Sequence, residues 1–441
     1  MSELTNTAAR AEQIDFTPEF LDAYHLMEKT SDCLFITGSA GTGKSTLLNY
    51  FRENTSKNVV VLAPTGIAAL NVGGQTIHSF FKFPFGVITA KSIEKKSNRE
   101  LYQAIDTIII DEISMVRADV IDGIDYFMRI NGRDKKKPFG GVQMIFIGDL
   151  FQLPPVLSTE EEKSLFLSLY ETPYFFSAAV FEKLLLRIIH LNRIFRQSDG
   201  AFIDLLQAIR TNSIEPKHLA VLNARVQPDF APNEEEFFIT LTTTNTIANA
   251  INAERLALLK AQPKSFAGTI EGSFDRRALP TEETLTLKKG AQVMFIKNDP
   301  YRRWVNGTIG KVREILSDSI KVEIERNGIR KVVTAERVAW EISKYDLDLK
   351  TKQIFSEPIG SFTQFPLRLA WAVTIHKSQG KTFDKVLIDL GRGTFAHGQL
   401  YVALSRGRSL AGIILKTPVR RKDIIVDQRI VDFMRQNLAR V

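Results

Sequence analysis

CLFITGSAGTGKSTLLNYF, residues 33 to 51, decides the fold. Five strand-forming residues, Cys33 to Thr37, run into GSAGTGKS (Gly38 to Ser45), and the apolar-periodic LLNYF follows, so a strand meets a helix through a glycine-rich loop. Both the spacing and the strand-to-helix context of a phosphate-binding loop are met. Glycines let the backbone curl so that its N–H groups and the helix N-terminus face phosphate oxygens. Lys44 adds a compact positive charge, and Ser45 offers a hydroxyl to a magnesium ion. Gly38, Ala40, Gly41, Thr42, Gly43 and Thr46 complete this nucleotide site with Lys44 and Ser45.

Outward from the loop, short β-rich runs alternate with amphipathic stretches, the signature of a parallel sheet flanked by helices. VVVLAPT (Val59 to Thr65), TIIID (Thr107 to Asp111) and VQMIFIGD (Val142 to Asp149) each end at a polar or glycine-containing turn. Strand ends of that kind deliver side chains to one edge of the sheet. Asp111 can hold a magnesium ion there, while Glu112 can orient and deprotonate an attacking water. GDLFQLPPV (Gly148 to Val156) brings Asp149 and Gln152 to the same edge, where the Gln152 amide can sense a γ-phosphate.

A second alternating region begins near RIIHLN (Arg187 to Asn192) and continues through FFITLTTTN (Phe237 to Asn245), LRLAWAVT (Leu367 to Thr374), KVLIDL and GIILKT. Between its parts, from about residue 285 to 361, runs such as AQVMFI, TIGKVREI, KVEIER and KVVTA are separated by turns, as in a small all-β insert. Arg196 in LNRIFRQ and Arg406 in YVALSRGR each follow an apolar segment of this second core. Facing the first core, they would stabilise the charge that spreads over a transferring phosphoryl group.

The chain of 441 residues calls for several cores, roughly three by typical domain size. Apolar residues at 44% and charged residues at 24% suit a packed globular protein. Lys and Arg total 58 against 50 Asp and Glu, a net charge of +8 that suits a polyanionic partner. The single cysteine, Cys33, excludes an intramolecular disulfide and a multi-cysteine zinc site. Neither an export signal nor a run of ~18 apolar residues is present, so the expected location is intracellular and no membrane partner is expected.

Taken in order, these segments resemble the motifs of superfamily 1 helicases, in the branch of RecD-like and Pif-family enzymes. GSAGTGKS resembles motif I, APTGIAA (Ala63 to Ala69) motif Ia, GQTIHSFF (Gly74 to Phe81) motif Ib and IIIDEISM (Ile108 to Met115) motif II. GDLFQLPP resembles motif III, LNRIFRQ motif IV, TIHKSQGKTFDKV (Thr374 to Val386) motif V and YVALSRGR motif VI. ISMVRADVIDGIDYFMR (Ile113 to Arg129) is similar to the signature segment of the Pif family. The resemblance assigns ATPase roles to Lys44, Ser45, Asp111, Glu112, Gln152, Arg196 and Arg406, adds Gly380 of motif V to the nucleotide site, and implies ATP and Mg2+ as cofactors.

Its fold implies two RecA-like α/β domains, at 31–186 and at 187–284 with 362–441, after an N-terminal segment 1–30. A wedge at about 81–103 and an SH3-like insert at 285–361 complete that plan. It implies an ATP-dependent DNA helicase, a monomer moving 5′ to 3′ on single-stranded DNA and unwinding tailed or forked duplex. Thr65 and Thr374, which end strands, would bond strand phosphates, with His78 and His376 beside them; Asn245, which ends the strand run TLTTTN, and Lys377 join these contacts, and Phe80 leads FFKFPFG (Phe80 to Gly86) into the wedge. The adenine-contacting glutamine usual upstream of motif I has only Gln13 as a candidate. Two other readings share parts of this pattern: a small-molecule phosphotransferase, which needs no second core with two arginines, and a nucleic-acid-stimulated ATPase that remodels partners without unwinding.

Overall fold

Strand β1 (Cys33–Gly38) is buried at every position, as a parallel strand covered by helices on both faces must be. The structure is a computed structural model that describes residues 15–157, 159–233, 235–326 and 328–438; Gln13 lies outside the described residues. With β2 (Val59–Ala63), β3 (Gln75–Thr76), β4 (Thr107–Ile110), β5 (Gln143–Gly148) and β6 (Leu186–Leu191), β1 forms a sheet of order β3-β2-β4-β5-β1-β6. Every pairing in it is parallel. The loops that leave β1, β4 and β5 therefore open on one edge, where motifs I, II and III converge.

RIIHLN, read as the start of the second core, pairs with β1 from Cys33↔Leu186 to Gly38↔Leu191 and so completes the first sheet. Apolar periodicity reports that a strand is half-buried, not which free edge it joins. The boundary set at 187 thus moves beyond Leu191, and Arg196 leaves the end of the first sheet.

The second parallel sheet starts with β7 (Ile239–Thr242). Before its partners arrive the chain builds β8 (Lys264–Ala267), β9 (Thr269–Gly272), β10 (Thr284–Leu287) and β11 (Gln292–Phe295). β12 (Ile309–Ile315), β13 (Ser319–Arg326), β14 (Ile329–Glu336), β15 (Val338–Leu347), β16 (Ile354–Gln364) and β17 (Leu367–Leu369) follow. These strands form antiparallel sheets of order β14-β13-β12-β11-β17, β15-β16-β9 and β10-β8. Val293, Phe295, Val312, Val322 and Phe365 pack in a core of their own. The insert therefore spans about residues 264 to 369 rather than 285 to 361.

LRLAWAVT is likewise not one strand. Its first part is β17, antiparallel to β11, and its second is β18 (Ala372–Thr374), which joins β7, β19 (Val386–Asp389) and β20 (Ile413–Leu415) in the parallel order β18-β7-β19-β20. A single apolar run thus carries the chain from the insert back into the second core. No helix among the described residues is long and apolar enough to cross a membrane.

The long β15–β16 hairpin reaches across to the first sheet. β3 pairs with β2 only at Leu62 and Ala63, which leaves the rest of that edge open. Tyr345 closes it: its hydroxyl accepts from Val61 N–H at 3.0 Å and donates to Val61 O at 3.3 Å. Asn58 extends the dock, accepting from Ile354 N–H at 3.0 Å and donating to Lys352 O at 2.9 Å. Tyr345→Phe is expected to speed hydrogen exchange at the Val61 amide while leaving Ile145 in the sheet centre protected, as read by exchange mass spectrometry; equal exchange at Val61 in both proteins would show that the hydroxyl closes nothing.

Candidate active site

Glycine is required at position 41 by space as well as by backbone angle. Gly41 has φ +85°, and a Cβ there would lie 2.4 Å from Cβ of Arg196. Phe195 N–H donates to Gly41 O at 2.8 Å, so the chain leaving β6 lies directly on the phosphate loop. Gly43, at φ +88°, begins the helix Lys44–Asn54. The Lys44 ammonium folds back onto the loop, donating to Gly38 O at 2.7 Å and Ser39 O at 2.9 Å. Burial pushes it down to about 8 against the pull of Asp149, Glu112 and Asp111.

The two carboxylates after β4 stand opposite this lysine. Burial raises both Asp111 and Glu112, and the Asp111 charge adds to the rise of Glu112, to about 7. Glu112 also adopts φ +52°, a left-handed conformation that costs a side-chain-bearing residue about 1–3 kcal/mol. Gln379 of the second core donates Nε2–H to Glu112 Oε2 at 3.0 Å. The sequence reading missed Gln379, although its place inside motif V, just before Gly380, was a usable signal.

Asp149, at the end of β5, is the anchor of the cleft. Arg210, from the helix Gly200–Arg210, donates Nη2–H to its Oδ1 at 2.9 Å, both side chains being buried. Tyr401, from the helix Gln399–Leu404, donates to Asp149 Oδ2 at 3.2 Å and accepts Ala40 N–H at 3.0 Å. Burial alone would raise the Asp149 carboxyl, but Arg210 and Lys44 hold it below its ordinary value. Arg210 stacks on Phe151 at 4.2 Å, and Gln152 reaches Asp149 Oδ2 at 3.5 Å. Sequence reading found neither Arg210 nor Tyr401 in this role; Tyr401 lay in motif VI, whereas nothing in spacing marked Arg210.

Two arginines complete the cleft without a carboxylate in ion-pair reach among the described residues. Arg196 donates to Ser405 O and Gly380 O, each at 3.4 Å. Arg406 is fully buried on Val402 O at 2.9 Å, Ser405 Oγ at 2.7 Å and Lys381 O at 3.2 Å. Burial, with the Arg196 charge next, lowers Arg406 to about 9. Such a pair favours an anion between them.

A cavity of about 660 Å³ is lined by residues 40 to 46 of the loop, with Asp111, Glu112, Gln152, Arg196, Gly380 and Arg406. Gly38 lies beneath it, under Lys44. Phe20 and Phe195 line it as well. No group of three His, Cys, Asp or Glu side chains that could hold a metal occurs among the described residues. Ser45 with Asp111, one hydroxyl and one carboxylate, suits a magnesium ion whose other ligands are phosphate oxygens and waters.

Thr65 caps the helix Gly66–Val72 and Thr374 the helix Ile375–Ser378, each oxygen accepting a backbone N–H, at 3.2 and 3.3 Å. Asn245 does not end a strand: β7 stops at Thr242, and exposed Asn245 begins the helix Asn245–Leu258. Burial lowers both His78 and His376, which favours neutral rings. His376 lines a groove with Pro154, Pro155 and Phe395, and Lys377 is exposed beside it.

Phe80 requires the clearest correction. It is 4% exposed and packs edge-on against Phe81 at 4.9 Å and Tyr102 at 5.6 Å, so no base can reach its ring. Phe85, 76% exposed, is the open aromatic of that segment, stacked at 6.2 Å on His78 with the Arg277 guanidinium 4.6 Å from its ring. A run of four phenylalanines does not itself say which one the short helix Ile77–Phe81 leaves outside.

Residues 12–218 match the family model of PIF1-like helicases, and residues 369–414 that of the UvrD-like helicase C-terminal domain. The ATP-dependent DNA helicase Pif1 of Bdellovibrio bacteriovorus is 34% identical, the match covering 96% of this chain and 92% of that protein. ATP-dependent DNA helicase PIF1 of Homo sapiens is also 34% identical, over 86% of this chain and 57% of its own length. The crystal structure of Bacteroides sp Pif1 with ADP-AlF4 superposes with a TM-score of 0.89 at 37% identity, covering 97% of this chain and 98% of that one. Bacteroides Pif1 bound to ssDNA scores 0.69 at 38% identity with the same coverage.

The anchor carries a thermodynamic prediction. Arg210→Ala leaves Asp149 buried and unpaired, a change that costs about 3–5 kcal/mol, whereas Arg210→Met with Asp149→Leu removes both charges. Calorimetry should show the single variant melting several degrees below the parent and the double variant regaining most of that loss; a single variant melting with the parent would deny the anchor.

Proposed function

The chain belongs to the PIF1-like helicase family, and on that premise we propose that it is an ATP-dependent DNA helicase that moves 5′ to 3′ on single-stranded DNA. It acts as a monomer inside the cell, on tailed or forked duplex. The observation that carries this reading is the composite cleft. Lys44, Asp111 and Glu112 come from one core, while Gln379 and Arg406 come from the other, so hydrolysis requires the cores to be together. A small-molecule phosphotransferase needs no such division.

In this reading Ser45 and Asp111 would hold Mg2+, which supplies charge neutralisation at the β- and γ-phosphates when bound. Lys44 exchanges its loop carbonyls for phosphate oxygens, and Gln152 donates to the γ-phosphate. Glu112, held near neutrality by burial, takes the proton of the attacking water, and the Gln379 amide fixes the direction of its carboxyl. Arg196 and Arg406 meet the charge that develops on the transferring phosphoryl. Gly380 leaves room for the nucleotide beside Arg196.

Strand contacts follow the same division. Thr65 and His78 lie on the first core, and Asn245, Thr374, His376 and Lys377 on the second, so a strand laid across both feels each closure of the cleft. Phe85 replaces Phe80 as the aromatic that can stack on a base at the wedge. Alternating grip then converts closure into a step. The higher similarity to the nucleotide-bound relative than to the strand-bound one supports a rearrangement coupled to DNA.

Two measurements test this. With ATP and magnesium, a duplex with a 5′ single-stranded tail should be unwound and one with a 3′ tail should not, while Lys44→Ala unwinds neither; unwinding of the 3′-tailed duplex alone would reverse the polarity, and strand-stimulated hydrolysis without unwinding would leave a remodeller. Glu112 gives a pH signature: its carboxyl is raised, so it is protonated and inactive as a base at low pH and gains activity as pH rises through about 7. Single-turnover hydrolysis is expected to climb between about pH 6 and 8 and to lose that rise in Glu112→Gln; the same climb in Glu112→Gln would assign the proton to another group.

A further inference from the structure

The turn that carries Gln152 is held from the second core at its backbone as well as through Asp149. Gly398, at φ +69°, begins the helix Gln399–Leu404, and a Cβ there would collide with Phe151 O and lie 2.6 Å from Gln152 O. Backbone therefore meets backbone, with no room for a side chain between them. His397, one residue earlier and 6% exposed, meets the preceding carbonyl of the same turn: its Nε2 lies 2.9 Å from Leu150 O. No other donor among the described residues reaches that carbonyl, and Leu150 is itself buried.

The other ring nitrogen decides where the proton sits. Asp427 N–H donates to His397 Nδ1 at 2.9 Å, so Nδ1 accepts, and the hydrogen is on Nε2, aimed at Leu150 O. Burial favours this neutral ring, against the Leu150 bond and the Asp427 and Asp149 charges. Asp427 is held in turn, its carboxylate accepting from the Tyr174 hydroxyl at 2.8 Å and from Arg429 Nη2–H at 2.6 Å. Within the turn, Gln152 N–H donates to Asp149 O at 2.9 Å and Phe151 N–H to Asp149 Oδ1 at 3.2 Å. Both return to Asp149. Among the described residues, the bond to Leu150 O is the one hydrogen bond on this turn's backbone that the second core supplies.

We propose that His397 is a positioning residue for hydrolysis: by holding the Leu150 carbonyl it sets the motif III turn, and with it the direction in which the Gln152 amide leaves the backbone. The histidine does not line the nucleotide cavity, whereas Gln152 does, so it acts through that residue. This rests on the reading of Gln152 as a donor to the γ-phosphate. It adds a requirement to that reading: the amide is aimed only while the loop before motif VI is seated on the first core. A buried ring that merely fills space would need neither of its two hydrogen bonds.

The test is single-turnover ATP hydrolysis by the full chain, with magnesium and saturating oligodeoxythymidylate, measured beside nucleotide affinity. His397→Asn keeps an acceptor for Asp427 N–H but is too short to reach Leu150 O, while His397→Gln carries an amide N–H to the Nε2 position. Hydrolysis should slow about tenfold or more in the asparagine variant, with affinity within about threefold of the parent, and recover to within about threefold in the glutamine variant. Combining His397→Asn with Gln152→Ala should slow hydrolysis no further than Gln152→Ala alone, because one residue acts through the other. Tyr174→Phe releases the Asp427 carboxylate but leaves both His397 bonds, and should hydrolyse at the parental rate. Thermal midpoints check folding, and His397→Ala carries the same expectation should His397→Asn not fold. Equal rates in the asparagine and glutamine variants, or losses that multiply in the double variant, overturn the positioning role. Parental hydrolysis in Gln152→Ala would instead overturn the reading of Gln152 beneath it.

Discussion

The cleft depends on one buried carboxylate. Asp149 directly follows the central strand β5 and receives Arg210 on one oxygen and the Tyr401 hydroxyl on the other, while that hydroxyl accepts the Ala40 amide of the phosphate loop. Three distant stretches of chain are thereby held to one point: the loop after β1, the helix that follows β6, and the motif VI helix of the second core. A carboxylate with no access to water tolerates this only while its hydrogen bonds are met. The position of Arg406, a few residues beyond Tyr401, follows from that anchor.

With the anchor set, the electrostatics of the cleft follow from burial. Lys44 and Arg406 are lowered and Glu112 is raised because each has lost water and gained no full counter-charge. In the proposed reading a nucleotide triphosphate would bring the negative charge that the lysine and arginines lack, and solvent the water that Glu112 meets. The Gln379–Glu112 bond links a carboxylate of the first core to the second core, and the Tyr345 dock ties the insert to the first sheet as well. Site and domain arrangement therefore share hydrogen bonds.

Much of this was legible in the sequence because local chemistry dictated it. The glycines of the loop, the apolar strand delivering Asp111 and Glu112, and the order of eight motifs all report short-range constraints, and residues of motifs I to VI other than Ia and Ib do line one cavity. What escaped was pairing and orientation. RIIHLN shows the same periodicity whichever sheet it joins, LRLAWAVT hides a change of sheet inside an unbroken apolar run, and Phe80 and Phe85 differ only in which side of a short helix and its following loop faces water. Arg210 was unreadable because its partner lies 61 residues away. Gln379 was missed for a different reason: a neutral amide beside a glycine has no chemistry until the carboxylate it meets is known.

The central claim is that hydrolysis needs charge delivered across the cleft, and it is tested most directly by measuring nucleotide affinity and single-turnover hydrolysis in Arg406→Lys. The account predicts affinity within a few-fold of the parent and hydrolysis slowed by about 10³ or more, since a lysine keeps the charge but not the planar fork that meets the transferring phosphoryl. Hydrolysis at the parental rate, with affinity retained, would contradict it and return the chemistry to the first core alone.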